Sequence, residues 1–376
     1  MIEELVVYLA IAGAFLWWLL VLLPWQPWRT REQLEPNVME TKPLLDDITV
    51  LIPARNESKY IRQTLEALHE QGGRIHIIVV DDQSVDDTAT QAKKYGAQVI
   101  SGSAPPAGWS GKLWALEQGL REVRTPYTLL LDADIELMPG MLTTLKAKAQ
   151  QEKLVLVSIM AEPPMVRFFE RLLMPPFIFF FKLLYPFALA NKPSSGVAAA
   201  AGGCILVRTE ALHTVGAFLS LHDALIDDCT LAARVKQTGL KSWVGLSHSA
   251  RIHRGYHKLK PIWEMVARSA YTQLQYSPVL LVICTLIMSC MFWFALLAPL
   301  LFPGATMFMI SVLAWVAMLI TYFPTLIYYR RSLLWGLTLP IAGTLYLAMT
   351  WASAFRYWQG ERACWKDRRY ESKPHN

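Results

Sequence analysis

Residues 5–23 form an apolar run with no charge inside it, preceded by Glu3 and Glu4 and followed by Arg29 and Arg31. The run is long enough to span a bilayer. Beyond it the periodicity changes. Residues 48–52 are a short aliphatic stretch that reads as a buried strand, and Ile61, Leu65 and Leu68 then recur at helical spacing. Residues 75–80 read as a second strand, with a helix to about Tyr95 and a third short strand at 98–100. A helix through about Val123 comes next, then a buried strand at 127–134 that ends in two carboxylates, and further strands at 154–158 and 205–207. The β-α-β-α-β alternation predicts an α/β fold with a parallel, doubly wound sheet. Residues 261–276 have an amphipathic pattern, and three apolar stretches follow at about 279–301, 306–328 and 333–355.

Composition strengthens the membrane reading. Of 376 residues, 53% are apolar and only 18% charged, with a mean hydropathy of +0.28. A net charge of +6 in such a chain reads as anchoring to anionic lipid, with no nucleic acid as partner. The five cysteines are scattered without a Cys-x-x-Cys pair, which argues for reduced thiols and against structural zinc. The first apolar run lacks a basic leader and a small-residue cleavage site, so it reads as a retained anchor. Arg29 and Arg31 then put the chain from residue 29 onward in the cytoplasm, as a multi-pass protein of the inner (cytoplasmic) membrane.

Two segments resist this scheme. Arg330 and Arg331 mark a cytoplasmic turn, so three full C-terminal spans would put the basic tail, with Arg362, Lys366, Arg368, Arg369 and Lys373, outside. We expect the tail inside, with 333–355 as the non-spanning piece because it contains Pro340 and Gly343. Residues 168–190 are interrupted by Pro175, Pro176 and Pro186 and by Glu170, Arg171 and Lys182. They read equally as an interfacial segment or a buried core hairpin.

The candidate chemistry sits at strand ends. Asp132 and Asp134 close an apolar strand, where two carboxylates repel and lose hydration. A divalent cation bridging to a nucleotide diphosphate relieves both costs. Ligands of open α/β sheets bind off the carboxyl ends of the strands. Gly108-Trp109-Ser110-Gly111-Lys112 opens a helix with a lysine in its first turn, which suits a diphosphate or, equally, a plain loop with a solvated lysine. Gly202 and Gly203 would let backbone approach a bulky ligand. Asp227 and Asp228 open a helix, where a carboxylate is ordinarily a cap. No Gly-x-Gly-x-x-Gly follows the first strand, which speaks against a nicotinamide-dependent dehydrogenase.

Taken in order, Ile52-Pro53-Ala54-Arg55-Asn56-Glu57, Val80-Asp81-Asp82-Gln83-Ser84-Val85-Asp86-Asp87-Thr88, Asp132-Ala133-Asp134, and Asp227-Asp228 ahead of Leu231-Ala232 resemble a family 2 glycosyltransferase of GT-A fold. The stretch 108–116, the segment from Arg268 to Leu274 and Trp365-Lys366 resemble the hopene-associated (HpnB-type) group.

The resemblance implies a Rossmann-like mixed sheet on the cytoplasmic side, with transmembrane helices at both ends. Pro53, Arg55, Glu57, Asp81 and Asp82 would hold the nucleoside of a nucleotide-sugar donor, a UDP-sugar. Lys112 would meet the diphosphate. Asp132 would bind ribose or metal, and Asp134 would ligate Mg²⁺ or Mn²⁺. Asp228 would be the catalytic base, which displaces its reading as a cap. Asp227, Arg268, Tyr271 and Trp365 would face acceptor or diphosphate. The acceptor would be a lipid, hopanoid-like, with polyprenyl phosphate or a carotenoid-type lipid as the alternative. A non-catalytic scaffold is the rival from another class. The expected division is an anchor at 1–28, a transferase domain at 29–260, an interfacial helix at 261–277, membrane helices at 278–356 and a basic tail at 357–376. The Gln-x-x-Arg-Trp motif of polymerising relatives is missing; the nearest equivalent is Arg268 with Tyr271, which argues for addition of a single sugar. Asp227 stands where relatives carry a glutamate.

Overall fold

The computed structural model of the chain describes residues 2–36, 44–222, 224–365 and 368–371. Its centre is an eight-stranded sheet of β1 (Ile48–Ala54), β2 (His76–Asp81), β3 (Gln98–Ser101), β4 (Tyr127–Leu131), β5 (Ile135–Leu137), β6 (Leu156–Glu162), β7 (Cys204–Arg208) and β8 (Ser242–Ile252). The spatial order is β3-β2-β1-β4-β7-β6-β8-β5. The first four strands are mutually parallel, as the alternating pattern predicts. The rest is mixed: β7 runs antiparallel to β4 and β6, and β5 antiparallel to β8. Strand order reverses between β1 and β4, so a crevice opens at their carboxyl ends. Because β7 is antiparallel, its amino end, with Gly202 and Gly203 before it, comes to the same rim as the carboxyl ends of β6 and β8.

Helices α1 (Ile2–Leu22), α2 (Ile61–His69), α3 (Thr88–Lys94), α4 (Gly111–Leu120) and α5 (Met141–Gln151) precede β6. Of these, α2 and α5 bury Leu65, Leu68, Leu142 and Leu145 in one core layer, and α4 buries Leu113 and Leu116 in the other. α4 lies close on the sheet because residue 119 is glycine; a Cβ there would sit 2.3 Å from the Leu51 side chain.

After β6 come α6 (Phe168–Leu184) and α7 (Phe187–Ala190). Of the two readings of 168–190, the hairpin is not formed: residues 168–184 are one 17-residue helix running through Pro175 and Pro176. It survives two prolines because it is packed on two sides. Met174 and Ile178 join the cluster around Val244 and Leu246, while Phe179 joins that of the apolar helices. Its Lys182 is almost wholly buried and donates to the carbonyl of Arg29.

Next are α8 (Thr209–Thr214), α9 (Asp227–Gln237), α10 (Leu259–Ala267) and α11 (Ala270–Gln273). The single amphipathic helix expected at 261–276 is thus two helices, because Ser269 leaves helical geometry at φ −132°.

The remaining apolar helices are α1, α12 (Pro278–Ser289), a π turn into α13 (Ala295–Leu301), α14 (Ala305–Tyr328) and α15 (Leu339–Trp358). Among the described residues four helices are long and apolar enough to cross a membrane: Glu3–Leu22, Pro278–Leu297, Ala305–Tyr328 and Leu333–Trp358. α1 packs on α13 and α14, and the Trp17 indole donates to the Met291 carbonyl at 3.0 Å.

Neither Pro340 nor Gly343 interrupts the helix in 333–355. Pro340 lies in the first turn of α15, where no N–H is required, and Gly343 lets the Phe292 ring approach. Yet both ends of this segment are held by residues outside it. Trp335 contacts Phe168 at its start, and Tyr357 stacks on Tyr276, just ahead of α12, at its end. The tail carries a short antiparallel pair, β9 (Glu361–Trp365) with β10 (Arg368–Glu371). Lys366 and Lys373 lie outside the described residues.

Candidate active site

A cavity of about 580 Å³ opens at the rim where β1, β4 and β8 end and β7 begins. One wall is acidic, with Glu57, Asp132, Asp134, Asp227 and Asp228. The other is apolar, with Met174, Phe177, Ile178 and Phe181 of α6 and Met265 of α10.

Asp132 leaves the last residue of β4 with its backbone N–H on the Gly203 carbonyl at 3.0 Å. Its carboxylate meets the Lys112 ammonium at 2.7 Å. Lys112 is held in the first turn of α4, whose N-cap Ser110 accepts from the Leu113 N–H at 3.1 Å. Burial alone would lower the Lys112 pKa, but the charge of Asp132, joined by Asp227 and Asp228, outweighs it and raises the pKa. The lysine therefore stays charged.

Asp134 is engaged by a residue that sequence reasoning missed. Arg254, two residues past β8, donates from Nε to Asp134 at 2.7 Å and from Nη2 to both oxygens of Glu57. Its guanidinium also lies 4.8 Å from the Tyr60 ring centroid. Burial opposes its charge, but Asp134 and then Glu57 raise its pKa. Only the position of Arg254 just after the last long strand could have drawn attention to it.

Asp228, second residue of α9, is half-buried against the cavity wall. One oxygen accepts from the Cys229 N–H at 2.7 Å. The other faces Gly202 so closely that a Cβ there would sit 3.1 Å away. Burial, and then the charge of Asp227, push the Asp228 carboxyl up to about 7. That is a suitable value for a group that takes a proton near neutrality.

The other expected positions divide. Pro53 and Glu57 line the cavity, and so does Arg268 at the end of α10. Asp81, Asp82 and Arg55 do not line it. Asp82 is buried, with its N–H on the Ala54 carbonyl at 2.8 Å and its carboxylate 4.0 Å from Arg55. Arg55 instead clasps the carbonyls of Asp82 and Gln83 and so fixes the turn after β2. Tyr271 is not brought to the cavity either. It is buried beneath α15, donating from its hydroxyl to the Tyr276 carbonyl at 2.8 Å and from its backbone N–H to Ser353 Oγ at 3.1 Å. Trp365 falls in β9, and its side chain lies outside what is described.

Among the described residues no three histidines, cysteines or carboxylates are grouped to hold a metal. Two carboxylates two residues apart, with hard oxygen donors only, fit Mg²⁺ or Mn²⁺ where the remaining ligands come from a diphosphate and water. Arg254 occupies one oxygen of Asp134, Oδ2, and so competes with a cation for this carboxylate.

Residues 49–216 match the family model described as Glycosyl transferase family 2. The chain is 39% identical over 92 residues to a 4,4'-diaponeurosporenoate glycosyltransferase of Staphylococcus haemolyticus, covering 24% of each protein. It is 38% identical over 89 residues to that of Staphylococcus aureus USA300, covering 23% of this chain and 24% of the relative. The matched part is thus about a quarter of those relatives' length. Among solved structures, the mannosyltransferase PcManGT from Pyrobaculum calidifontis in complex with GDP-Man and Mn²⁺ aligns with a TM-score of 0.59 at 17% identity, over 96% of this chain and 100% of that one. At that identity the likeness is one of fold. The rim of strand ends, the acidic wall and these matches lead to one conclusion: the chain has a GT-A fold, and its residues 49–216 are similar to the family 2 glycosyl transferases.

Proposed function

We propose that the protein is a membrane-bound, metal-dependent inverting glycosyltransferase that moves one sugar from a nucleotide-sugar donor to a lipid hydroxyl at the cytoplasmic face of the membrane. The observation that carries this reading is the cavity itself. It joins Asp228, with its raised pKa, and the Asp132–Lys112 pair to an apolar wall on α6.

Asp228 accepts the proton of the acceptor hydroxyl as the acceptor oxygen bonds to the sugar's anomeric carbon. The bond from that carbon to the nucleotide diphosphate breaks in the same displacement, so the anomeric configuration inverts. Lys112 takes up negative charge on the departing diphosphate. Asp134 and Asp132 would hold Mg²⁺ or Mn²⁺, which when bound offsets that same charge. Pro53 and Glu57 border the nucleoside end, and a uridine diphosphate sugar is the donor we expect.

The acceptor reaches the site along Phe177 and Phe181 without leaving an apolar surface. A hopanoid-like alcohol, in keeping with the hopene-associated group, fits the Asp228 pKa better than an acid. The named acceptor of the staphylococcal relatives is a carboxylate, and a polyprenyl phosphate is likewise ionised at neutral pH, so neither needs a base of pKa about 7. The relatives' name is what favours a carotenoid-type acceptor as the second reading.

For topology, the contacts of Trp335 and Tyr357 support an α15 that lies along the boundary without crossing, which keeps the basic tail beside the transferase domain. Cysteine labelling of the tail only from outside would overturn that.

The deciding experiment incubates the purified full-length protein with a panel of nucleotide sugars and lipid extracts, and reads the product by mass spectrometry. A glycosylated neutral lipid is expected. A glycosyl ester or phosphate would move the assignment to the second acceptor class. Neither lipid product nor donor hydrolysis would leave only a scaffold.

A further inference from the structure

Two arginines from distant parts of the chain meet at one carbonyl oxygen. Arg171 Nε lies 3.4 Å from the Met165 carbonyl, and Arg331 Nη1 lies 3.1 Å from the same atom. Arg331 Nε also donates to the Tyr329 carbonyl at 2.8 Å. Two guanidinium groups are therefore held a few ångströms apart. Among the described residues neither takes part in an ion pair, and Arg167 and Arg330 stand beside them also without one. The neighbouring acid, Glu170, is buried and already committed. It accepts from the backbone N–H groups of Val166 at 2.9 Å, Arg167 at 2.8 Å and Tyr256 at 2.6 Å. Capping one carbonyl needs one donor, so the convergence of two repelling cations lacks a structural purpose of its own.

Their surroundings indicate what completes them. Arg330 and Arg331 directly follow the 24-residue apolar α14. Around the arginines, Val166, Phe168, Leu334, Leu337 and Ile341 turn apolar side chains outward, and Phe168 touches Trp335 so that the two segments form one surface. An apolar face continuing that of a membrane-length helix, edged by unpaired guanidiniums, matches acyl chains below a phosphate.

We propose that Arg171 and Arg331, flanked by Arg167 and Arg330, bind the phosphate of an anionic phospholipid at the junction of α6 with the turn after α14. Arginine suits the role because its planar fork meets two phosphate oxygens at once. The site is separate from the cavity and does not depend on the transferase reading.

The test uses full-length protein in neutral detergent, with native mass spectrometry of adducts formed with phosphatidylglycerol or with phosphatidylcholine of the same acyl chains. Wild type is expected to favour phosphatidylglycerol by roughly thirtyfold, the scale of two basic residues at a membrane surface. R171Q/R331Q is expected to bind both lipids alike. K93Q/K94Q, an equal charge loss on the exposed end of α3, is expected to keep the preference. R171Q alone leaves both contacts of Arg331 in place and is expected to lose about half the preference on a logarithmic scale, which serves if the double variant misfolds. The proposal is overturned if the arginine variants keep the preference, or if the lysine variant loses it equally. It is also overturned if millimolar inorganic phosphate displaces phosphatidylglycerol, because the site would then take soluble anions.

Discussion

Replacing Asp228 by asparagine should slow transfer and stabilise the protein at the same time. In the fold the Asp228 carboxyl is pushed up to about 7, by burial and then by Asp227, from an ordinary 3.8. A carboxyl whose pKa is higher folded than unfolded is most at home protonated. The stability that preference contributes is complete below the unfolded pKa and is lost as pH rises through about 7. At pH 8 the gap corresponds to ~4 kcal/mol as a ceiling. Water reaching the half-exposed carboxyl screens this to roughly 1–2 kcal/mol. Asparagine keeps the size and escapes the charge. Asp228→Asn should therefore melt a few degrees higher than wild type at pH 8, and at about the same temperature near pH 4. Transfer should fall ~10²–10⁴-fold, the scale of a general base. Differential scanning fluorimetry in detergent at both pH values, with product mass spectrometry, reads both effects. An unchanged melting temperature at pH 8 refutes the buried-charge argument. A wild-type rate refutes the base.

For the wild type, kcat/KM should fall about tenfold per pH unit below about 7, and Asp227→Asn should move that limb to lower pH by roughly one unit, since it removes a like charge. A limb that stays put in a pH–rate profile would show that Asp227 does not act on the base. Arg254→Gln frees Asp134 and Glu57, so Mn²⁺ binding without donor, followed by electron paramagnetic resonance, should tighten; weaker binding would mean that the arginine assembles the site. Lys112→Met should weaken nucleotide-sugar binding by ~1.5–3 kcal/mol in calorimetry, the worth of a charge-assisted contact; unchanged affinity would remove the lysine from the diphosphate. Gly13→Ala would put a Cβ 2.0 Å from the Cys290 carbonyl oxygen, forcing α1 from the π turn before α13; the variant should be recovered at clearly lower yield in detergent, and a normal monodisperse yield would contradict that packing.

Much of this arrangement is legible in the chain, because it depends on local signals. Short aliphatic runs mark β1, β2 and β4, and Asp132 and Asp134 follow the last of them directly, so their place at the rim needs only a strand and its end. What escapes local reading depends on routes through space. The tie of Arg254 to Asp134 exists because β8 ends at the same rim as β4, which no spacing reveals. Glu57 reads as a nucleoside ligand, yet its carboxylate is taken up by that arginine. Tyr271 lies next to a motif residue, Arg268, but the backbone turns between them, so only Arg268 reaches the cavity. The helix α6 was obscured by its prolines, whose lost hydrogen bonds are offset by packing on two faces that the sequence does not display.

The strap between α1 and the sheet sets a distance. Gln33 bridges to Leu246 on β8, the Leu34 N–H bonds the Leu246 carbonyl, and Glu35 accepts from the His248 N–H at 2.7 Å. α1 is therefore tied to the same strand that delivers Arg254, and with α1 in the bilayer as proposed the mouth of the cavity would stand at a fixed height above the acyl chains. Lipid acceptors of the proposed reaction would then be sorted by how far their reactive oxygen protrudes, as by a gauge. Lengthening the chain with a few flexible residues after Arg31 should blur this discrimination between short and tall head groups while leaving soluble-donor hydrolysis intact; equal selectivity in the lengthened protein would show that height is set elsewhere.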